Sequence, residues 1–226
     1  MTEAPISGSR TEDPSGKLSF RHYTPGDLER CAEFSADAWA GLFPFAGKEG
    51  ELNVMRFSVE FYAATATWQE VACVSDKVVG MLFGKIKSDL PRLAGLGTVL
   101  ADSRVHLRFL LGRFGKVPNR MKIVRLAIAD DRNIRNNSPE ADGEVTFLVV
   151  DEGFRGRGIG KELMDRFVAY ARSKHVKKIT VNTTEPVCNW EFYEQYGFRR
   201  YRSFKDGLSS YGLKRDAKIL ILELEL

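Results

Sequence analysis

The fold is decided by one segment that joins an apolar strand pattern to an amphipathic helix pattern: Val150-Asp151-Glu152-Gly153-Phe154-Arg155-Gly156-Arg157-Gly158-Ile159-Gly160. Its glycines allow the backbone to turn tightly and to bring consecutive N–H groups close to a ligand. The helix that follows adds unpaired N–H groups and the positive end of its dipole. With the charges of Arg155, Arg157 and Lys161, the segment predicts a site for a phosphate-bearing anion.

The residues on either side of this segment predict a strand–helix–strand unit. Residues 144–150 read as a strand, 161–174 as an amphipathic helix and 178–182 as a second strand. Such a unit implies a parallel strand pair with a right-handed crossover. A short helix over 189–196 ends at Gly197, and the alternating C-terminal stretch KILILELEL predicts a last strand.

The first part of the chain predicts a strand, two helices and a hairpin. The strand covers residues 18–23, and the helices cover 27–40 and 51–66, with a Gly- and Pro-containing connection over 41–50. The hairpin strands are residues 70–75 and 78–86, with a turn at Asp76-Lys77. Residues 1–16 are predicted to be a disordered tail, and residues 17–226 a single domain.

Residues 88–142 are predicted to be a helical insertion between the third and fourth strands. Two helical patterns, one around Phe109 and one around Ile123, are followed by a polar loop over 133–143. Seven Lys and Arg residues and no Asp or Glu lie between Arg104 and Arg125. This stretch would attract an acidic group on a second substrate if the insertion covered the site. A solvated helical face or a contact in a homodimer is the alternative.

Three kinds of phosphate-binding loop can be compared with the glycine segment. A Walker loop fails at two positions, because Arg155 replaces the first glycine and Glu162 the final Ser or Thr. The dinucleotide fingerprint G-x-G-x-x-G fails because Lys161 stands where the third glycine belongs. Arg155-Gly156-Arg157-Gly158-Ile159-Gly160 resembles motif A of the GCN5-related N-acetyltransferase (GNAT) superfamily at every position.

A second segment supports the same resemblance. Asn189-Trp190-Glu191-Phe192-Tyr193-Glu194-Gln195-Tyr196-Gly197-Phe198 is similar to the end of motif B of that superfamily, commonly FYEKxGF. Many members carry an asparagine seven residues before the tyrosine, where this chain has Pro186. Asn189 lies one helical turn nearer to Tyr193 and is expected to replace that asparagine.

The resemblance implies an α/β fold of the GNAT type. We expect a central mixed, mostly antiparallel sheet with a splayed parallel strand pair and helices on both faces. It also implies an enzyme that moves an acetyl group from acetyl-CoA to a primary amine of a small molecule or peptide, by direct attack. The expected cofactor-binding residues are Leu148, Val149, Val150, Arg155, Gly156, Arg157, Gly158, Ile159, Gly160, Lys161 and Asn189.

The resemblance also suggests two catalytic residues. Glu144 begins the strand before the glycine segment, where several relatives carry a catalytic glutamate, and could remove a proton from the amine through water. An ammonium of pKa ~10.4 costs roughly 4–5 kcal/mol to deprotonate near neutral pH. Tyr193 aligns with the general acid that protonates the leaving thiolate. The alternatives are a solvated strand-end carboxylate for Glu144 and a core aromatic for Tyr193.

Composition narrows the remaining possibilities. Cys31, Cys73 and Cys188 are too few and too widely spaced to predict a disulfide framework or a metal site, and Cys188 has no evident base. The net charge of +4 is too small to predict nucleic-acid binding, although Phe109 and Phe114 within the basic stretch leave that role open. We expect a cytoplasmic protein without a membrane span. A GNAT fold that senses acyl-CoA without turnover is the second alternative.

Overall fold

The structure, a computed structural model, describes residues 16–90 and 103–226. Seven strands within these residues form one sheet, in the order β1-β2-β3-β4-β5-β7-β6. All neighbouring strands are antiparallel except β4 and β5, which are parallel. The strands are β1 (Leu18–His22), β2 (Trp68–Val74), β3 (Lys77–Ile86), β4 (Gly143–Val150), β5 (Lys178–Glu185), β6 (Arg199–Lys205) and β7 (Lys218–Glu225).

Helices cover both faces of this sheet. They are α1 (Leu28–Ala38), α2 (Gly47–Thr65), α3 (helical over the described residues 103–110), α4 (Arg120–Asn137), α5 (Ile159–Ser173), α6 (Glu191–Tyr196) and α7 (Gly207–Leu213). None of the described helices is long and apolar enough to cross a membrane. The predicted mixed sheet with one parallel pair is confirmed.

The sheet separates two apolar cores. On one face, Leu163 and Phe167 of α5 pack in a buried cluster with Leu82, Ile86 and Val145 of the central strands. On the other face, helices α1 and α2 pack against the sheet, and their buried residues include Phe34 and Val59. Because β3 is covered on both sides, its side chains are apolar almost without interruption.

The insertion packs with α2 around an apolar core that is separate from the other two. Phe57 of α2 lies 4.4 Å from Phe109 of α3, measured between ring centroids, and Phe114 and Ile123 are buried in the same cluster. Phe109 and Phe114 are therefore core residues, and neither ring is available for stacking on a nucleic-acid base. Residues 91–102 of the insertion and 1–15 of the predicted tail lie outside the described residues.

Two predicted boundaries in the first half of the chain are wrong. The hairpin turns at Ser75 and Asp76, where φ is 47° and 66°, and Val74 pairs with Lys77. Two successive residues with positive φ form a turn whose twist matches that of the flanking strands. Because Ser75 and Asp76 are those residues, the turn lies one residue earlier than predicted. Helix α2 begins at Gly47, within the stretch predicted to be a connection.

The second half contains elements that the sequence did not predict. Helix α4 continues to Asn137, through part of the predicted loop; its exposed end carries the ion pair Arg135–Asp131. Strand β6 is an edge strand whose side chains are mostly exposed, so it lacks an apolar alternation. Helix α7 is also new, and Asp206 caps it by accepting the Ser209 N–H at 2.6 Å.

Candidate active site

A cleft opens where the two parallel strands separate. β4 and β5 pair only from Gly143 opposite Ile179 to Val145 opposite Val181. Beyond this point β4 still pairs with β3, and β5 still pairs with β7. The facing edges of β4 and β5 therefore carry backbone N–H and C=O groups that point into the cleft. A cavity of about 490 Å³ lies there, lined by residues 145–150 of β4 and by the glycine segment.

The glycine segment closes one end of the cavity. Asp151 accepts the Gly153 N–H at 3.0 Å and holds the turn that leaves β4. Gly156 and Gly158 have φ of 75° and 76°, a conformation that is strained for any other residue, and a Cβ at either position would meet nothing within 4 Å. Helix α5 begins immediately afterwards at Ile159, so the N–H groups of its first turn lie at the cavity.

Basic side chains brace this segment. Arg155 donates through Nε to the Val150 carbonyl at 3.0 Å, and Arg157 donates through Nη2 to the Gly153 carbonyl at 3.1 Å. Lys161, which lies in the first turn of α5, pairs with Asp165 at 2.6 Å. Positive charge is thus concentrated at the mouth of a loop whose N–H groups already favour an anion. The segment fits a pyrophosphate.

Tyr193 lines the same cavity. It belongs to α6, which ends at Gly197 as predicted but begins at Glu191, two residues later than predicted. Tyr193 is 8% exposed, lines the cavity and packs edge-on against Phe192 and Phe198. Burial, with a smaller contribution from Cys188, raises the pKa of its hydroxyl. The phenol therefore stays protonated at neutral pH and can serve as a proton donor.

Glu144 lies just below the cleft, at a position where β4 and β5 are still paired. Its side chain is half-buried, and Oε1 accepts a hydrogen bond from Nδ2 of Asn182 at 3.0 Å. Burial raises the pKa of Glu144, while Lys85 and the bond from Asn182 oppose that rise. Among the described residues, Asn182 lines the cavity but Glu144 does not. The sequence did not single out Asn182, although a polar residue within an apolar strand was a usable signal.

Aromatic rings form the wall on the side of α1 and α2. Trp39 stacks on Phe147 with ring centroids 5.1 Å apart, and Tyr62 stacks on Phe147 at 4.8 Å. Trp39 donates through Nε1 to the Cys188 sulfur at 3.4 Å. Cys188 is half-buried and lines the cavity, although the sequence shows no evident base for it. Trp39 and Phe147 were not predicted as site residues.

Asn189 lies at the edge of the same cavity. Its Oδ1 accepts the Phe192 N–H at 3.3 Å and so caps the start of α6. The oxygen of the Asn189 amide is engaged by this contact, and its nitrogen can donate a hydrogen bond to a ligand. Leu148, Val149, Val150 and Ile159 also line the cavity. The structure therefore brings the predicted cofactor-binding residues together around one cleft, except Arg157, which does not line the cavity.

The described residues contain no group of three or more His, Cys, Asp or Glu side chains that could hold a metal ion. The cleft contains an anion-binding loop, an exposed strand edge and a protonated phenol, and a half-buried carboxylate lies just below it. This combination can bind a phosphate-bearing molecule and transfer protons.

Comparison with known proteins gives one family. The model of the acetyltransferase (GNAT) family matches residues 36–198. Among solved structures, one similar protein is from Desulfovibrio desulfuricans and is provisionally assigned to the GNAT acetyltransferases. It is 16% identical to this chain with a TM-score of 0.54, and the alignment covers 92% of this chain and 99% of that protein. A protein from Pyrococcus horikoshii is 15% identical, with a TM-score of 0.57, covering 93% and 99%. These two share the fold. No curated protein matches the sequence significantly.

Proposed function

Because the chain belongs to the acetyltransferase (GNAT) family, whose acetyl donor is acetyl-CoA, we propose that it transfers an acetyl group from acetyl-CoA to a primary amine of a small molecule or peptide. One observation carries the proposal. The cleft between β4 and β5 is lined by an anion-binding loop, by an unpaired strand edge and by a buried tyrosine. These are the groups needed to hold the two ends of a long thioester.

The cofactor would be held along this cleft. The positive-φ glycines and the first turn of α5 would receive the pyrophosphate, with Arg155, Arg157 and Lys161 supplying charge. The free edge of β4 at Leu148–Val150 would pair with the amides of the pantetheine arm, and Asn189 would donate from the other wall. An extended molecule that pairs with a strand edge gains backbone hydrogen bonds without needing specific side chains.

The chemistry assigns one task to each side of the cleft. The amine nitrogen forms a bond to the acetyl carbonyl carbon, and the carbon–sulfur bond breaks. The proton of the amine goes to Glu144, and the Tyr193 hydroxyl supplies a proton to the departing sulfur. A backbone N–H on the free edge of β4 would stabilise the carbonyl oxygen as negative charge develops. Solvent then restores both side chains to their starting states.

The raised pKa of Glu144 suits its task as a base, whereas the raised pKa of Tyr193 makes the phenol a weaker acid and works against its task as a proton donor. Glu144 is a stronger base than an exposed glutamate because burial raises its pKa. The proton transfer from tyrosine to a thiolate is uphill by roughly 2 kcal/mol between unperturbed groups. A thiolate formed inside the cleft is desolvated, which raises its own proton affinity and reduces that difference. A cytoplasmic location and a homodimer remain predictions.

The proposal is tested with an amine panel and acetyl-CoA. Isothermal titration measures acetyl-CoA binding, and a thiol reagent measures CoA release with cadaverine, pentylamine, δ-aminovalerate, spermidine and a peptide with a free N-terminus. Binding together with amine-dependent CoA release supports an N-acetyltransferase. Binding without CoA release for any amine would instead indicate an acyl-CoA sensor, and absence of binding would overturn both.

A further inference from the structure

Asn182 occupies the point at which the cleft opens. Val181 is the last residue of β5 that pairs with β4, and Asn182 follows it. On its other side β5 remains paired, with Asn182 opposite Ile221 of β7. The backbone of Asn182 is therefore fixed, while its side chain contacts both the half-buried Glu144 and the cavity.

The amide of Asn182 has a defined orientation. An ionised carboxylate only accepts hydrogen bonds, so the NH₂ group of Asn182 must face Glu144, which agrees with the 3.0 Å contact from Nδ2. This leaves Oδ1 on the other side of the amide. That oxygen is buried and has no hydrogen-bond partner among the described residues. Buried polar atoms are nearly always satisfied, so a lone acceptor beside a cleft indicates a donor that binds there.

Access to Glu144 follows from the same geometry. Asn182 lines the cavity where β4 and β5 separate, whereas Glu144, to which it donates, does not. The side chain of Asn182 thus connects the cavity to the carboxylate of Glu144. Proton transfer requires a hydrogen-bond distance or one bridging water, and the side chain of Asn182 stands at that position.

The charged and titratable groups around Glu144 come from three neighbouring elements. Lys85 on β3 favours the ionised carboxylate, and Asp131 on α4 opposes it. Tyr62 on α2 is close enough for Glu144 to influence its hydroxyl. Against burial and Asp131, the ionised form of Glu144 is supported by Lys85 and by the hydrogen bond from Asn182.

We infer that Asn182 is a positioning residue for the proton transfer, holding Glu144 through its amide NH₂ and accepting through Oδ1 a hydrogen bond from the acceptor amine or a water that bridges it to Glu144. The inference rests on the proposed function. The proton moves from the amine nitrogen, directly or through that water, to a carboxylate oxygen of Glu144. The amide itself gains and loses nothing.

Two variants and one control test this role. Asn182→Leu keeps the approximate size and removes both hydrogen bonds, and Asn182→Asp keeps the shape but places a second carboxylate beside Glu144. Thr184→Val is the control, because Thr184 lies on the same strand and face but donates to Asp206 instead of Glu144. The pKa of Glu144 is measured by NMR of carboxyl-labelled protein with acetyl-CoA present, and kcat/KM is measured against pH with the fastest amine of the panel.

We expect the pKa of Glu144 to rise by roughly one unit in Asn182→Leu and further in Asn182→Asp, because each loses a donor that stabilises the carboxylate. The acid limb of the pH profile of kcat/KM should move to higher pH together with the pKa of Glu144. In Asn182→Leu, kcat should also fall by ~10-fold or more. Thr184→Val should leave both the pKa and the limb unchanged. Unchanged pKa and limb in both Asn182 variants would overturn the inference. A wild type that binds acetyl-CoA but acetylates no amine would overturn the proposed function instead.

Discussion

The ammonium of Lys161 lies 2.6 Å from Oδ2 of Asp165, so the last basic residue of the glycine segment is paired with a carboxylate one turn further along α5. Tyr196 donates to the other oxygen of Asp165 at 2.8 Å. Burial works against the charge of Asp165, but these two hydrogen bonds outweigh it and lower its pKa. If Lys161 binds the phosphate as proposed, Asp165 competes with the phosphate for it.

Removing that competition should strengthen cofactor binding. Asp165→Asn is expected to tighten acetyl-CoA binding by roughly 2–5-fold at low ionic strength, since an exposed ion pair contributes at most about 1 kcal/mol. The gain should shrink as salt is added, because the interaction is screened. Isothermal titration at two salt concentrations measures both effects. Tyr196→Phe removes the other contact of Asp165 and should leave binding unchanged; weaker binding in Asp165→Asn would show that Lys161 is not a phosphate ligand.

The glycine segment can be tested at Gly158. Gly158→Asp introduces a strained positive φ and a negative charge at the proposed pyrophosphate site, so acetyl-CoA should no longer raise the melting temperature. Gly47→Asp is the control. Gly47 also has a positive φ, of 67°, and its ψ of 172° makes an Asp side chain there at least as strained as at Gly158, but it does not line the cavity. Loss of the thermal shift in both variants, or in neither, would contradict the assignment.

Charge on the acceptor side favours a cationic amine. Burial and the nearby carboxylates of Glu144, Asp131 and Asp206 raise the pKa of the Tyr62 hydroxyl, and Tyr62 stacks on the cavity wall at Phe147. Within the basic stretch of the insertion, Arg108 pairs with Glu60. We therefore expect a cationic acceptor in place of the acid-bearing acceptor that the sequence suggested.

A set of amines of equal length measures this preference. Cadaverine should exceed pentylamine in kcat/KM, and pentylamine should exceed δ-aminovalerate, with roughly a tenfold range or more between the extremes. Asp131→Asn should narrow the gap between cadaverine and pentylamine, whereas Asp216→Asn, at a residue whose side chain is 94% exposed, should not. A kcat/KM for δ-aminovalerate that equals or exceeds the value for cadaverine would instead support an acceptor that carries an acid group.

Tyr193 can be tested without disturbing its packing. Tyr193→Phe removes only the hydroxyl from a ring held between Phe192 and Phe198. Turnover should fall by ~10²-fold, as expected for the loss of a general acid, while acetyl-CoA affinity changes little. Steady-state CoA release and isothermal titration separate the two quantities. Unchanged turnover would make Tyr193 a packing residue.

The parts of the fold that the sequence predicted are those with strong local patterns. The glycine segment, the amphipathic face of α5 and the apolar run of β3 each carry their own signal. The strand–helix–strand unit predicted the parallel pair, and the family resemblance implied its splay. Strand β6 could not be predicted in this way. It is an edge strand stabilised by its pairing with β7, and its exposed side chains carry no periodicity.

The cavity lining was predicted only where a motif marked it. Trp39 and Cys188 are 149 positions apart in the chain, and only the packing of α1 against the sheet brings them into contact. The position of Asn182 in the cavity is set by where β4 and β5 stop pairing. That point depends on the twist of the whole sheet. Such long-range positions leave no spacing pattern in a single sequence.

The most direct test follows the acetyl group itself. Wild-type protein is incubated with isotope-labelled acetyl-CoA and cadaverine, and labelled N-acetylcadaverine, free acetate and CoA are quantified by mass spectrometry. Direct transfer predicts one labelled amide for each CoA released and no excess acetate, with the product lost in Gly158→Asp but kept in Gly47→Asp. Labelled acetate in place of the amide, or CoA bound without any product across the whole amine panel, would contradict acetyl transfer in this cleft.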